Sequence, residues 1–267
     1  MTATFNMKNR DSTTRRAPLR RCIYCESTKY REKDNRELGE EHVIAESLGG
    51  SLALGLAACE DCERRVNDFE QPILKGILYA PRVHLGIRRK RRKRGEETIK
   101  VQGNIDGKDV TLNLPIKNAP VMLFLLRLGP PGMLIDRPLD FADMQGAWVL
   151  HLSNSLVPPG FQSVSGPIMD TFKFAQFLAK IAHCFAVSVL GEGFIPTLLD
   201  FIRTAATSPR YDLVGGTPSG EPSENLHELE LYWERVAGVH YALVKIRLFA
   251  NLGAPTYLVI AGTAKAA

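Results

Sequence analysis

Two pairs of cysteines and one histidine between them are the residues of this chain whose types and spacing could do chemistry. Cys22 and Cys25 flank Ile23-Tyr24, Cys59 and Cys62 flank Glu60-Asp61, and 33 residues separate the pairs. Thiolates two residues apart on a tight knuckle can share one tetrahedral Zn²⁺, and a second knuckle completes a four-thiolate site. Two such motifs, with Cys184 as the one further cysteine, fit a structural metal better than a disulfide framework or a redox pair. Between them stands Glu41-His42-Val43-Ile44, closed by the turn pair Gly49-Gly50. His84, His151, His183, His227 and His240 have no partner motif and read as structural or surface residues.

These groups need elements to hold them. Leu38 to Ile44 reads as a short strand ending near His42, and Ser51 to Ala57 as the strand that returns the chain to Cys59. Beyond Cys62 the period becomes helical, with Val66, Phe69 and Ile73 on one stripe and Glu63, Asn67 and Glu70 on a separate polar face. Pro72 is expected to break or kink this helix, or to start a second short one through about Tyr79. Strand, turn, strand and helix, with zinc at the base, make one compact unit over residues 20–80.

The segment from Cys22 to about Glu70 resembles the HNH endonucleases, whose ββα-metal module often carries a four-cysteine zinc site. It looks closest to the bacterial branch with an EHVIP…LGG signature. The likeness rests on Cys22-x-x-Cys25, on Glu41-His42-Val43-Ile44 followed by Gly49-Gly50, and on Cys59-x-x-Cys62 leading into a helix. It implies an endonuclease acting on nucleic acid, with DNA the expected substrate, in which His42 is the general base. It further implies that Glu41 helps hold Mg²⁺ or a similar divalent ion, together with a polar residue of the following helix. The family's proline after the strand is Ala45 here, its middle asparagine falls near Leu54, and its helix asparagine is Glu63. Asn67, one turn later, is therefore the expected helix ligand, with Glu63 or Glu70 as alternatives. The same residues also suit a zinc-stabilised module that binds nucleic acid without cutting it, or one that braces a protein-interaction domain.

Charge separates this part from the rest. Residues 1–97 hold 21 Lys and Arg against 15 Asp and Glu, whereas residues 98–267 hold 13 against 14. The basic excess thus lies with the cysteines, as expected of a surface that meets a polyanion. Arg88-Arg89-Lys90-Arg91-Arg92-Lys93-Arg94, within a basic linker over 81–97, is the expected phosphate-contacting arm. Residues 1–19 read as a flexible basic tail without periodicity.

The expected fold class is α+β, the zinc-stabilised ββα-metal module being followed by a larger α+β accessory domain of mixed strands and helices over 98–267. Thr98–Gly103 and Lys108–Leu114 read as a hairpin around Asp106-Gly107, and Ala147–Leu152 as a further strand. Asp170 to Leu190 is the best helix, its apolar face built from Phe174, Phe177, Leu178, Ile181 and Phe185, with Cys184 an inert core residue. A second helix is expected over Ile195–Ala206, a loop over 207–223, and closing strands over Tyr241–Phe249 and Pro255–Ala261. No catalytic motif or phosphate-binding glycine loop is evident in this part. Residues 1–20 are polar and basic, with no leader-like apolar region, and no uninterrupted apolar run approaches the roughly 18 residues of a membrane span. The cysteine usage and these absences lead to the expectation of a soluble, cytoplasmic protein.

Overall fold

The computed structural model describes residues 2–9, 11–31, 36–87, 98–137, 144–153, 160, 163–165, 167–204 and 210–265. Two strands, β1 (Thr2–Met7) and β2 (Thr14–Arg16), precede the module, whose hairpin is β3 (Gly39–His42) and β4 (Leu52–Ala58). Helix α1 (Glu60–Lys75) follows directly and leads to α2 (Tyr79–His84). The larger body continues with β5 (Thr98–Ile105), β6 (Lys108–Pro115), β7 (Met122–Leu128), β8 (Met144–His151) and β9 (Ser163–Ser165). It then forms α3 (Thr171–Leu190), β10 (Phe194–Pro196), α4 (Leu199–Arg203), β11 (Val214–Thr217), β12 (His227–Val236), β13 (Val239–Leu248) and β14 (Thr256–Ala264).

The fold is α+β, with an N-terminal zinc-type module and a larger α+β body. Antiparallel pairing orders the main sheet β1-β12-β13-β14-β10, with β11 also on β14, while β2-β4-β3 is the sheet of the module. Smaller sheets are β6-β5-β9 and β7-β8. Asp170 caps α3 by accepting a hydrogen bond from the Lys173 amide at 3.0 Å. The helix packs between α1 on one side and strands β13 and β14 on the other. It is long and apolar enough to cross a membrane by length and composition, yet 72% of its 18-residue window is buried inside the protein.

Several expectations change. Residues 1–19 are no tail: β1 pairs antiparallel with β12 from Thr2↔Tyr232 to Met7↔His227, and β2 runs parallel to β4. The signal was present, because Ala3, Phe5 and Met7 alternate with Thr2, Thr4 and Asn6. Pro72 does not end α1 at its own position: it lies in the last turn, and the helix stops three residues later at Lys75. The helix expected over 195–206 is only Leu199–Arg203, because Phe194–Pro196 joins the sheet edge beside β14. The loop expected over 207–223 contains β11, where a Cβ on Gly216 would lie 2.3 Å from the Leu128 carbonyl oxygen. Only glycine lets the backbone pass there. The basic linker over 81–97 begins as α2, and Arg88–Arg94 lies outside the described residues.

The core ignores the boundary expected between module and accessory domain. One cluster runs from Cys22, Val66 and Phe69 through Phe177 and Ile181 to Val259. Buried His227 of β12 ties the two parts together: its Nε2 donates to the Leu48 carbonyl at 2.7 Å and its Nδ1 accepts from the Phe249 amide at 3.2 Å. Burial pushes the His227 pKa down to about 4. A pKa depressed in the folded state gives stability that is present above the unfolded value of about 6.5 and lost as pH falls towards 4, worth about 3 kcal/mol here. His227→Gln keeps one donor and one acceptor but does not titrate. Urea unfolding between pH 7 and 4.5 should therefore show a smaller acid loss in the variant, by about 2–3 kcal/mol. Parallel pH curves for the two proteins would contradict this.

Candidate active site and metal centre

The metal centre is assembled by two short segments. The Glu26 amide donates to the Cys22 carbonyl at 2.8 Å and Glu26 takes φ +64°, which closes the first knuckle. The Ile23 amide bonds the Ala57 carbonyl at 2.8 Å, so β4 fixes this knuckle beside the second, where Cys59 is the N-cap of α1. The ligand atoms of Cys22, Cys25, Cys59 and Cys62 lie within 4.8 Å of one another, with Cys25 Sγ and Cys59 Sγ 3.5 Å apart. A tetrahedral Zn–S distance of about 2.3 Å requires sulfurs about 3.8 Å apart, so the four thiols fit zinc. Without a cation they compete for protons: a hydrogen bond from Cys62 pulls Cys22 down to about 5, while burial pushes Cys59 up to about 11. Such a set favours a doubly charged ion that replaces the protons.

Helix α3 forms the floor of this centre. Tyr24 is fully buried, with its hydroxyl 3.2 Å from Cys184 Sγ, and His183 Nε2 lies 2.9 Å from the Ile23 carbonyl oxygen. Cys184 is a core residue as expected, and burial pushes its thiol up to about 12. His183 is structural too, its pKa lowered to about 4 by burial.

His42 ends β3 where the sequence places it. β3 pairs antiparallel with β4 through Glu41↔Leu54 and His42↔Ala53, with a register irregularity between Gly39 and Glu41. The loop that follows needs both of its glycines: Gly49 has φ +87°, and a Cβ on Gly50 would sit 1.9 Å from the Ile44 carbonyl oxygen. The His42 side chain is 20% exposed, and its Nε2 lies 3.3 Å from Glu40 Oε1. Arg15 of β2 donates from Nε to Glu40 Oε2 at 2.6 Å. A carboxylate on Nε2 favours the tautomer with its proton there and the lone pair on Nδ1. Glu40 and Arg15 escaped the reading of the sequence, although a residue two positions from His42 on a strand must share its face.

Glu41 takes the opposite face and is buried, its Oε1 2.8 Å from Lys180 Nζ of α3. Lys180 also reaches Glu70 Oε1 at 3.2 Å and donates to the His42 carbonyl. Burial raises the Glu41 pKa above the ordinary carboxylate range against the pull of Lys180, and the nearby Glu70 adds to the rise. The other helix residues are engaged elsewhere. Asn67 Oδ1 accepts from Gln71 Nε2 at 3.3 Å, and Glu63 Oε2 accepts from the Tyr30 hydroxyl at 2.9 Å. Among the described residues, the cysteine tetrad is the one group of three or more His, Cys, Asp and Glu side chains whose ligand atoms converge. Lys180 was the other residue missed; a single lysine in the apolar run from Phe174 to Phe185 was its signal.

The strand–turn–strand–helix unit, its cysteine tetrad and the histidine at the strand end coincide with a family match: residues 22–75 fit the model of the HNH endonucleases. No curated protein and no solved structure matches the chain. The chain therefore carries, over residues 22–75, an HNH endonuclease module with a cysteine tetrad suited to zinc, set into a larger α+β body.

Proposed function

We propose that this protein is an endonuclease that hydrolyses phosphodiester bonds of nucleic acid, DNA first among its substrates, with His42 as general base. The observation that supports this most is the placement of His42: it ends the first strand of the module, with Glu40 holding its Nε2 edge and Nδ1 turned into the fold. Water attacks phosphorus as its proton passes to the imidazole, the bond to the leaving oxygen breaks, and that oxygen takes a proton from solvent while the imidazolium returns its own to solvent. Positioned acid–base groups contribute about 10²–10⁴-fold to such a step. His42→Ala should thus lower plasmid nicking, assayed with Mg²⁺ or Mn²⁺, by about that factor while zinc content and circular dichroism stay unchanged. Equal nicking by the variant would remove His42 from the mechanism. The divalent ion expected at Glu41 and Asn67 does not fit those side chains as they stand, and no step is assigned to it.

The engagement of Glu41 by Lys180 favours a second reading, a module that binds nucleic acid without cutting it. Wild-type protein that binds DNA but nicks none with either ion would establish it. On both readings Arg88–Arg94 meets phosphates. Replacing Arg88, Arg89, Lys90 and Arg91 with alanine should lower the slope of log affinity against log salt by up to about 0.9 for each phosphate of duplex DNA that the arm then fails to neutralise. An unchanged slope would take the arm out of the interface.

A further inference from the structure

The acidic residue that precedes the base already holds a cation. We infer that the ammonium of Lys180 takes the place of a divalent ion at Glu41, so that whatever ion assists at His42 is not bound by Glu41. This placement rests on the nuclease reading only in supposing that Glu41 would otherwise meet a metal.

Three oxygens surround Lys180 Nζ: Glu41 Oε1 at 2.8 Å, Glu70 Oε1 at 3.2 Å, and the carbonyl oxygen of His42. A lysine ammonium has three N–H donors and no acceptor, so this shell is complete. The lysine side chain is 1% exposed and the two carboxylates 8% and 11%. Mg²⁺ demands oxygens at about 2.0–2.1 Å in an octahedron and usually keeps several waters. A site this buried, at ammonium distances, offers neither. The cation also comes from outside the matched segment, since residue 180 lies on α3 while the family match ends at residue 75. The body of the protein thus reaches into the module and neutralises the residue that a free metal would need.

The test is Mn²⁺ binding to zinc-loaded full-length protein, followed by electron paramagnetic resonance. In wild type, Glu41→Gln should leave Mn²⁺ affinity unchanged. Lys180→Ala should raise it at least about tenfold, because it frees two carboxylates for a hard cation. Adding Glu41→Gln to Lys180→Ala should remove that gain. Weaker Mn²⁺ binding in Glu41→Gln alone, with zinc content and circular dichroism intact, would overturn the inference, as would Lys180→Ala with no gain. If Lys180→Ala does not fold in metal-free buffer, refolding it in Mn²⁺ should restore native circular dichroism, and failure to do so counts against the inference equally. A wild type that nicks no DNA would sink the nuclease reading and leave these binding measurements standing.

Discussion

Chelating the zinc expected at the cysteine tetrad, or replacing Cys59 with serine, should unfold the module and loosen α3 with it. Structural zinc contributes about 10–16 kcal/mol in small zinc-dependent peptides at neutral pH, as much as the whole stability of a typical domain. The first knuckle has no regular structure of its own, since residues 17–31 form no helix or strand and join β4 through the Leu19–Gly55 and Ile23–Ala57 hydrogen bonds. Loss should spread beyond the module, because Tyr24 and Ile23 dock on Cys184 and His183 of the most buried helix. The expected result is one zinc per chain by metal analysis, and a cooperative loss of circular dichroism on chelation. Amide exchange should accelerate both in residues 20–80 and along α3. A metal-free chain that melts at the same temperature with α3 still protected would show that the tetrad is not structural.

The parts of the molecule legible in the sequence are those fixed by local chemistry. Cysteine spacing, the Asp106-Gly107 turn and the apolar stripe of residues 174–185 each state a geometry within a few residues, and each stands in the structure. What escaped depends on partners far along the chain. β1 is a strand because β12, more than two hundred residues away, offers it an edge. The Glu41 side chain turns inward because Lys180 waits there, 139 residues later in the sequence. A motif seen alone gives a carboxylate next to a histidine and cannot say which side of the strand will be buried. The body supplies that answer, and with it the difference between an ion ligand and a buried ion pair.

Lys180→Met should cost about 3–5 kcal/mol, the loss expected when one partner of a buried ion pair is removed and the other stays behind. Burial works against the lysine charge, but Glu41 and Glu70 outweigh it and hold its pKa above the ordinary lysine range. With a raised pKa its contribution is fully present below the unfolded value of 10.5 and is lost as pH rises beyond it. Urea unfolding at pH 7 should therefore show the full deficit, and at strongly alkaline pH wild type and variant should draw together. The remedy is as informative as the damage. Replacing the whole set with apolar groups of similar volume, as in Glu41→Met with Glu70→Leu and Lys180→Met, should restore most of the stability, because no charge remains buried. It cannot restore all of it, since the His42 carbonyl loses its donor, and a buried acceptor left unsatisfied costs about 1–3 kcal/mol. That remainder would measure how firmly α3 holds the backbone of His42. A single variant that loses less than about 1 kcal/mol, the scale of an exposed pair, would show that Lys180 does not hold the module to the body.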